Sequence, residues 1–316
     1  MFVYTIVGGY ILTSLLLFKY PTLIHRKKKI KFISKHISHR GGAGENYENT
    51  MCAFKRAASI GTQMLELDCH LTKDDEVVVC HDQNLFRSTG INKNIYEVNY
   101  YELPPLKKSL PIDFDPERHF VGCTTEEERK FPLLREVFEA FPQMPINIDI
   151  KINDNKLIDK VSELIKKYDR EEYTIWGNFN DEITRKCYNV NPNVNIFFSM
   201  KRVALLVLCM YTGILPFMPL KETHLEIFLP AIYLRKNGAP KSSSPLQKII
   251  CHTVNLLLIR PCLFNHLKAR GIHIYFWVLN REEEFAQAFN LGATGVMTDY
   301  PTKLKKFLDN TSTNSK

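Results

Sequence analysis

Apolar and polar residues alternate with a period of two from 64 to 71: Met64, Glu66, Asp68 and His70 share one face, and Leu65, Leu67, Cys69 and Leu71 share the other. This predicts a strand with one oily face and one charged face. Short apolar runs at 37–38, 77–80, 146–150, 174–176, 195–199, 226–229, 273–279 and 295–298 read as further strands. Apolar stripes of helical period mark 48–60, 133–141, 156–168, 182–189, 247–259, 263–270, 282–290 and 302–309. Apart from the short run at 77–80, the series gives eight strands alternating with helices, which points to a TIM barrel over residues 36–309, although periodicity alone leaves a doubly wound sheet open. Residues 83–130 lose the rhythm and contain Pro104-Pro105, so they read as an insertion after the second strand, made of short helices and loops.

Two uncharged runs interrupt the pattern. The first, 2–18, resumes its apolar character after Lys19 as far as Ile24. Residues 1–24 therefore read as an N-terminal transmembrane anchor with Lys19 snorkelling. A cleaved signal peptide is the alternative, but the positive charges follow the apolar run instead of preceding it, and no A-x-A site follows. Residues 25–35 form a basic juxtamembrane linker, which by the positive-inside rule puts the barrel on the cytosolic side of the endoplasmic reticulum or another cytoplasmic membrane. The second run, 203–220, cannot cross a bilayer without parting the last three barrel strands from the first five. It is expected to dock into the membrane as a helix and loop, the alternative being an ordinary barrel helix. The tail 310–316 is polar and expected to be disordered.

Charge sharpens this division. The chain carries +8, and Lys19, Arg26, Lys27, Lys28, Lys29, Lys31 and Lys35 supply seven positives with no acid among residues 1–35, so the remainder is nearly neutral. That asymmetry fits an anionic membrane surface and argues against a nucleic-acid-binding body. A length of 316 residues with 45% hydrophobic content accommodates one barrel plus an anchor and excludes general disorder. The eight cysteines lack C-x-x-C spacing, so they read as reduced thiols and not as a zinc site. Nothing in the pattern requires an obligate protein partner.

The candidate chemistry lies between residues 37 and 82. Glu66 and Asp68 project to the same side of one strand, about 7 Å apart, where a hard divalent cation would neutralise their repulsion. The first strand delivers His39-Arg40 into Gly41-Gly42, and the run at 77–80 delivers His81-Asp82. Histidines titrate near neutrality and suit general acid and base roles. The fork of Arg40 suits a phosphate, and the glycines let backbone approach a ligand. Together these groups describe a metal-assisted phosphodiester site. His70, on the same face, reads as a plain surface residue, an accessory ligand being the alternative.

The stretch resembles the glycerophosphodiester phosphodiesterases, through His39-Arg40-Gly41, Glu48-Asn49-Thr50, Glu66/Asp68 and His81-Asp82. Later landmarks are Asp149-Ile150-Lys151, where the family usually has Glu-x-Lys, then Trp277-Val278-Leu279-Asn280 and the run from Gly295 to Pro301. The resemblance implies a TIM barrel with His39 and His81 as acid and base, Arg40 and Lys151 on the phosphate, and Glu66, Asp68 and Asp149 on one divalent cation. Mg²⁺ is favoured over Ca²⁺, with Asp149 one methylene short of the usual glutamate. Trp277 and Asn280 are possible substrate-pocket residues, Trp277 either stacking near the site or filling the barrel. With the anchor and the second apolar run, the chain is similar to the small membrane-anchored lysophospholipase D branch. That implies hydrolysis of lysophospholipids, including N-acyl lysophosphatidylethanolamines, to lysophosphatidic acid. Alternatives are action on water-soluble glycerophosphodiesters, phospholipase C-like cleavage, or a non-catalytic lipid binder.

Overall fold

The computed structural model describes residues 2–122, 125–230, 232 and 244–313. Its strands are β1 (His36–Ser38), β2 (Met64–Leu71), β3 (Val77–Val79), β4 (Ser109–Pro111), β5 (His119–Val121), β6 (Ile146–Ile150), β7 (Thr174–Gly177), β8 (Asn195–Ile196), β9 (His224–Phe228), β10 (His273–Trp277) and β11 (Gly295–Thr298). Eight of them run parallel in the order β8-β7-β6-β2-β1-β11-β10-β9. A parallel bridge between Phe197 and His224 joins the two ends and closes the ring. The chain thus adopts the TIM barrel expected from its alternation, and Ile37, Met64, Ile175, Phe197, Tyr275 and Met297 pack together inside it.

The helices are α1 (Phe2–Lys19), α2 (Met51–Ile60), α3 (Phe86–Thr89), α4 (Leu134–Ala140), α5 (Asn155–Lys167), α6 (Asp181–Val190), α7 (Met200–Tyr211), α8 (Pro245–Leu258), α9 (Pro261–Ala269), α10 (Glu282–Asn290) and α11 (Pro301–Thr313). Several boundaries differ from the expectation for physical reasons. The helix expected from Glu48 starts at Met51, because Asn49 takes φ 56°, outside the right-handed helical region, and Thr50 caps the helix by accepting from the Ala53 amide. Glu48 and Asn49 are thereby free to serve the site from a loop. The insertion contains a two-stranded antiparallel hairpin, β4–β5, as well as short helices. It is packed down by a small core of Tyr47, Val78, Cys80, Leu85, Ile95, Leu106 and Leu110. The last helix runs on to Thr313, four residues into the tail expected to be disordered; the rest of that tail lies outside the described residues.

The second apolar run divides into the end of α7 and a short helical turn at Leu215–Phe217. Leu206, Cys209, Leu215 and Pro216 are buried, while Leu205, Leu208, Tyr211, Ile214 and Phe217 remain exposed. Helix α1 is long and apolar enough to cross a membrane, and only Ser14 and Leu17 are buried in it. Seven described cysteines are free thiols.

Candidate active site

Parallel pairing brings the acids together. β2 sits beside β6 with Glu66 opposite Asn147 and Asp68 opposite Asp149, so residues far apart in sequence become cross-strand neighbours on the interior face. β2 is longer than the barrel requires, and β3 folds back on it antiparallel, with Cys69 opposite Val79. The Cys80 amide then donates to the Asp68 carbonyl at 2.9 Å, and the next residue, His81, arrives above the acids. His70 is buried and not at the surface, and its Nε2 donates to the His81 carbonyl, 3.2 Å away, which makes it a support for that turn. Burial pushes its imidazole down to about 4, keeping it neutral.

His39, Arg40 and Gly41 form one tight turn after β1. Arg40 takes φ 49°, a left-handed conformation that costs a non-glycine residue about 1–2 kcal/mol. The turn aims the Arg40 amide at Glu66, which accepts it at 2.7 Å. Gly41, at φ 78°, is required because a Cβ there would meet Phe54 at 2.8 Å and Ala53 at 2.9 Å.

The resulting cavity has a volume of about 250 Å³ and two unlike walls. One is charged, made of His39, Arg40, Glu66, Asp68, His81, Asp149, Lys151 and Glu226; the other is a cluster of Phe114, Phe179, Phe197 and Trp277 joined ring to ring, and the two meet where the Phe114 ring lies edge-on to His39. Each histidine is held through Nδ1: His39 by Asp299 at 2.7 Å and His81 by Asp82 at 2.9 Å. Asp299 also accepts from the Asn280 amide at 2.9 Å, whereas Asp82 accepts from Arg87 Nε at 2.7 Å. Fixing Nδ1 leaves Nε2 as the exchangeable nitrogen, and that of His39 lies 4.0 Å from Glu66.

Lys151 bridges Asp68 and Asp149 at 2.8 Å and 2.7 Å. Arg40 reaches Glu48 at 3.1 Å and Asp113 at 2.8 Å through Nη1, with Asp68 at 3.5 Å from Nε. Burial opposes ionisation of Asp68, but Lys151 and Arg40 prevail and hold its carboxyl well below the usual range. Burial and then the Asp68 charge push Glu66 well above it. Burial likewise pushes Glu226 up to about 8, against its hydrogen bonds from Asn147 at 2.9 and 3.0 Å.

Four carboxyl groups face two fixed cations, Arg40 and Lys151, and the raised values of Glu66 and Glu226 keep the lining close to neutral as it stands. Among the described residues, no group of three His, Cys, Asp or Glu side chains is gathered tightly enough to hold a metal ion as it stands. The donor set nevertheless fits one: Glu66, Asp68 and Asp149 offer only oxygen, suited to a hard divalent cation, and Lys151 now occupies the gap between the last two. Two buried donors in the lining, Arg40 Nε and Trp277 Nε1, have no hydrogen-bond partner, as expected where a polar ligand completes a site.

The structure thus brings together His39, His81, Arg40, Lys151, Glu66, Asp68, Asp149 and Trp277. Asn280 does not line the cavity; it lies behind His39, fixing Asp299, since its amide and carbonyl oxygen are both used there. Sequence reasoning assigned no role to Glu226, Asp113, Phe114 or Phe179. A lone acid in an apolar strand was the available signal for Glu226, whereas Asp113 and Phe114 lie in the insertion, which has no periodicity.

Protonated Glu226 contributes stability that is lost as pH rises through its folded value, because the unfolded carboxyl ionises near 4.5 and the folded one near 8. In chelator-containing buffer this contribution should make the thermal midpoint fall between about pH 5 and pH 8, by the equivalent of a few kcal/mol, and level off above. Glu226→Gln should flatten that fall; an unchanged slope would refute the assignment.

The sequence profile of the Glycerophosphoryl diester phosphodiesterase family matches residues 39–303. A human protein named lysophospholipase D GDPD1 is 57% identical over 306 residues, covering 96% of each chain. Human lysophospholipase D GDPD3 is 37% identical, covering 96% of this chain and 94% of its own. Among solved structures, an Oleispira antarctica phosphodiesterase in complex with the product sn-glycerol-3-phosphate superposes with a TM-score of 0.60 at 21% identity, covering 88% of this chain and 98% of that one. A Silicibacter pomeroyi protein gives 0.63 at 17% identity, with 91% and 96% covered, a likeness of fold.

Proposed function

Because the chain belongs to the glycerophosphoryl diester phosphodiesterase family, we propose that it is a divalent-cation-dependent lysophospholipase D, hydrolysing lysophospholipids and N-acyl lysophosphatidylethanolamines to lysophosphatidic acid and the head-group alcohol or N-acylethanolamine. The observation that carries this reading is the two-walled cavity, whose charged side suits a phosphodiester and whose aromatic side suits the apolar part of a lipid. Names of relatives on both the 57% and 37% branches point the same way.

In this reading Glu66, Asp68 and Asp149 hold the cation, which supplies Lewis acidity at a non-bridging phosphate oxygen. Mg²⁺ is favoured over Ca²⁺ as the ion. Lys151 stays beside the same acids and, with Arg40, donates to the phosphate, adding fixed positive charge where negative charge builds. His39 and His81, steered by Asp299 and Asp82, form an acid–base pair: one takes the proton of the attacking hydroxyl and the other returns one to the leaving alcohol. Trp277 offers its unpaired indole N–H and its ring to the substrate. Helix α1 anchors the enzyme, and the basic linker favours a cytosolic barrel on endoplasmic-reticulum or other cytoplasmic membranes.

The test is mass spectrometry of products from lysophosphatidylcholine, an N-acyl lysophosphatidylethanolamine and glycerophosphocholine, each with EDTA, Mg²⁺ or Ca²⁺. Lysophosphatidic acid is expected with Mg²⁺ and should vanish with EDTA. Monoacylglycerol plus phosphocholine would overturn the cleavage site, turnover of glycerophosphocholine alone the substrate class, and a rate that rises only with Ca²⁺ the ion.

A further inference from the structure

The apolar surface outside the barrel is organised. On α8 the exposed residues Leu246, Ile249, Ile250, Leu256 and Leu257 recur at helical spacing and form one stripe pointing outward, while Val254 and Leu258 face the core. α7 repeats the arrangement with exposed Leu205, Leu208 and Tyr211 outward and Leu206 and Cys209 inward. The two helices adjoin: Tyr211 Oη donates to the Leu257 carbonyl at 3.2 Å. An ordinary barrel helix turns a polar face to water; the exposed surface of α7 beyond Arg202 is apolar, and α8 carries its apolar stripe beside exposed Gln247, Lys248 and His252.

What covers them is indicated by α1. Tyr10 Oη donates to the Thr212 carbonyl at 2.6 Å, Ser14 Oγ donates to the Gly213 carbonyl at 2.7 Å, and the Tyr10 ring stacks on Phe217 with centroids 6.2 Å apart. Ser14 and Tyr10 lie about 8 Å and about 14 Å along the helix from Lys19, where charge resumes. If α1 spans a bilayer, the segment pinned to it lies within the acyl layer and not above the head groups. Charge agrees, because α7 and α8 contain no acid and carry Lys201, Arg202, Lys248 and His252.

The stripe also reaches the site. α7 starts just after β8, at the catalytic end of the barrel, with Met200 exposed. The Met200 amide donates to the Phe179 carbonyl at 3.0 Å, and Phe179 is both partly exposed and part of the aromatic wall, its ring 5.2 Å from Trp277.

We propose that α7, the turn at Leu215–Phe217 and α8 form a bilayer-immersed flank, continuous with the anchor, from which a lipid's acyl chain enters the cavity over Met200 and Phe179. This deepens the lysophospholipase D reading and rests on it for the entry path alone, since the immersion stands on the helices themselves.

The test uses the full chain reconstituted in phosphatidylcholine vesicles containing phosphatidylserine. Photo-reactive benzoylphenylalanine is installed at Leu208, Ile249 or Leu256, and at Lys55 on α2 across the barrel as control. Lipid adducts are expected at the first three positions and not at Lys55. Absence of adducts, equal labelling at Lys55, or cross-links to a second copy of the chain would overturn the immersion. In parallel, the Ile249→Glu/Leu256→Glu double variant should lose about tenfold or more of its turnover on vesicle-borne lysophosphatidylcholine, with the rate in detergent micelles close to that of the parent. An equal loss in both media would overturn the access role. Lipid labelling in a parent chain that turns over no lysophospholipid would leave the immersed flank standing and remove the lysophospholipase D reading, whereas turnover without labelling would do the reverse.

Discussion

Replacing His39 or His81 with alanine is expected to lower kcat about a hundredfold or more on whichever phosphodiester the parent chain hydrolyses. Both side chains line the cavity, and both have Nδ1 committed to a carboxylate, so neither variant leaves a second imidazole able to take over. The losses should not add in the double variant, because proton removal and proton return belong to one reaction path. His39 is nearly enclosed, and its loss leaves Asp299 with the Asn280 amide as partner, so a modest fall in thermal midpoint should accompany that variant. His81 is more exposed, and its variant should melt close to the parent. Single-turnover kinetics on folded protein checks this; near-full activity in both variants would remove the acid–base assignment.

The second large effect is on stability. Arg40→Ala is expected to destabilise the barrel by about 3–5 kcal/mol, the usual consequence of removing one partner from a buried charge cluster. Arg40 is 4% exposed and faces Glu48, Asp68 and Asp113. Arg87 still holds Glu48, but Asp68 would keep Lys151 as its one cation, beside the Asn49 amide that donates to it at 2.8 Å. The deficit should shrink in acid. Burial opposes ionisation of Asp113, yet Arg40 and Arg87 lower its value overall, so its contribution is present above the unfolded value and lost as pH falls through the folded one. Thermal denaturation in detergent at pH 7 and at about pH 2.5 measures both parts. A midpoint equal to the parent's at pH 7 would show that the cluster does not depend on this guanidinium.

The sequence by itself determined the β/α alternation, because hydrophobic period and strand length are local properties written residue by residue; the family motifs then favoured a barrel over a doubly wound sheet, and the ring closes only through the Phe197–His224 bridge. It also placed the candidate site residues, since Glu66 and Asp68 must share a face of β2, and a histidine at the end of an apolar run must emerge at that run's end. Only the tertiary structure decided who meets whom. Asp299 reaches His39 across 260 residues because β11 pairs with β1, with Thr298 opposite Ser38. Lys151 bridges Asp68 and Asp149 because β6 pairs with β2 in one particular register. Glu226, inward on β9, becomes part of the same acidic wall when the ring closes, and Asp113 joins from an insertion whose course follows no period. Asn280, a pocket residue by its motif, became a support for Asp299 for the same reason. Period fixes the direction of a side chain within its own element, while strand register and barrel closure, set by all the elements packing at once, fix its partner.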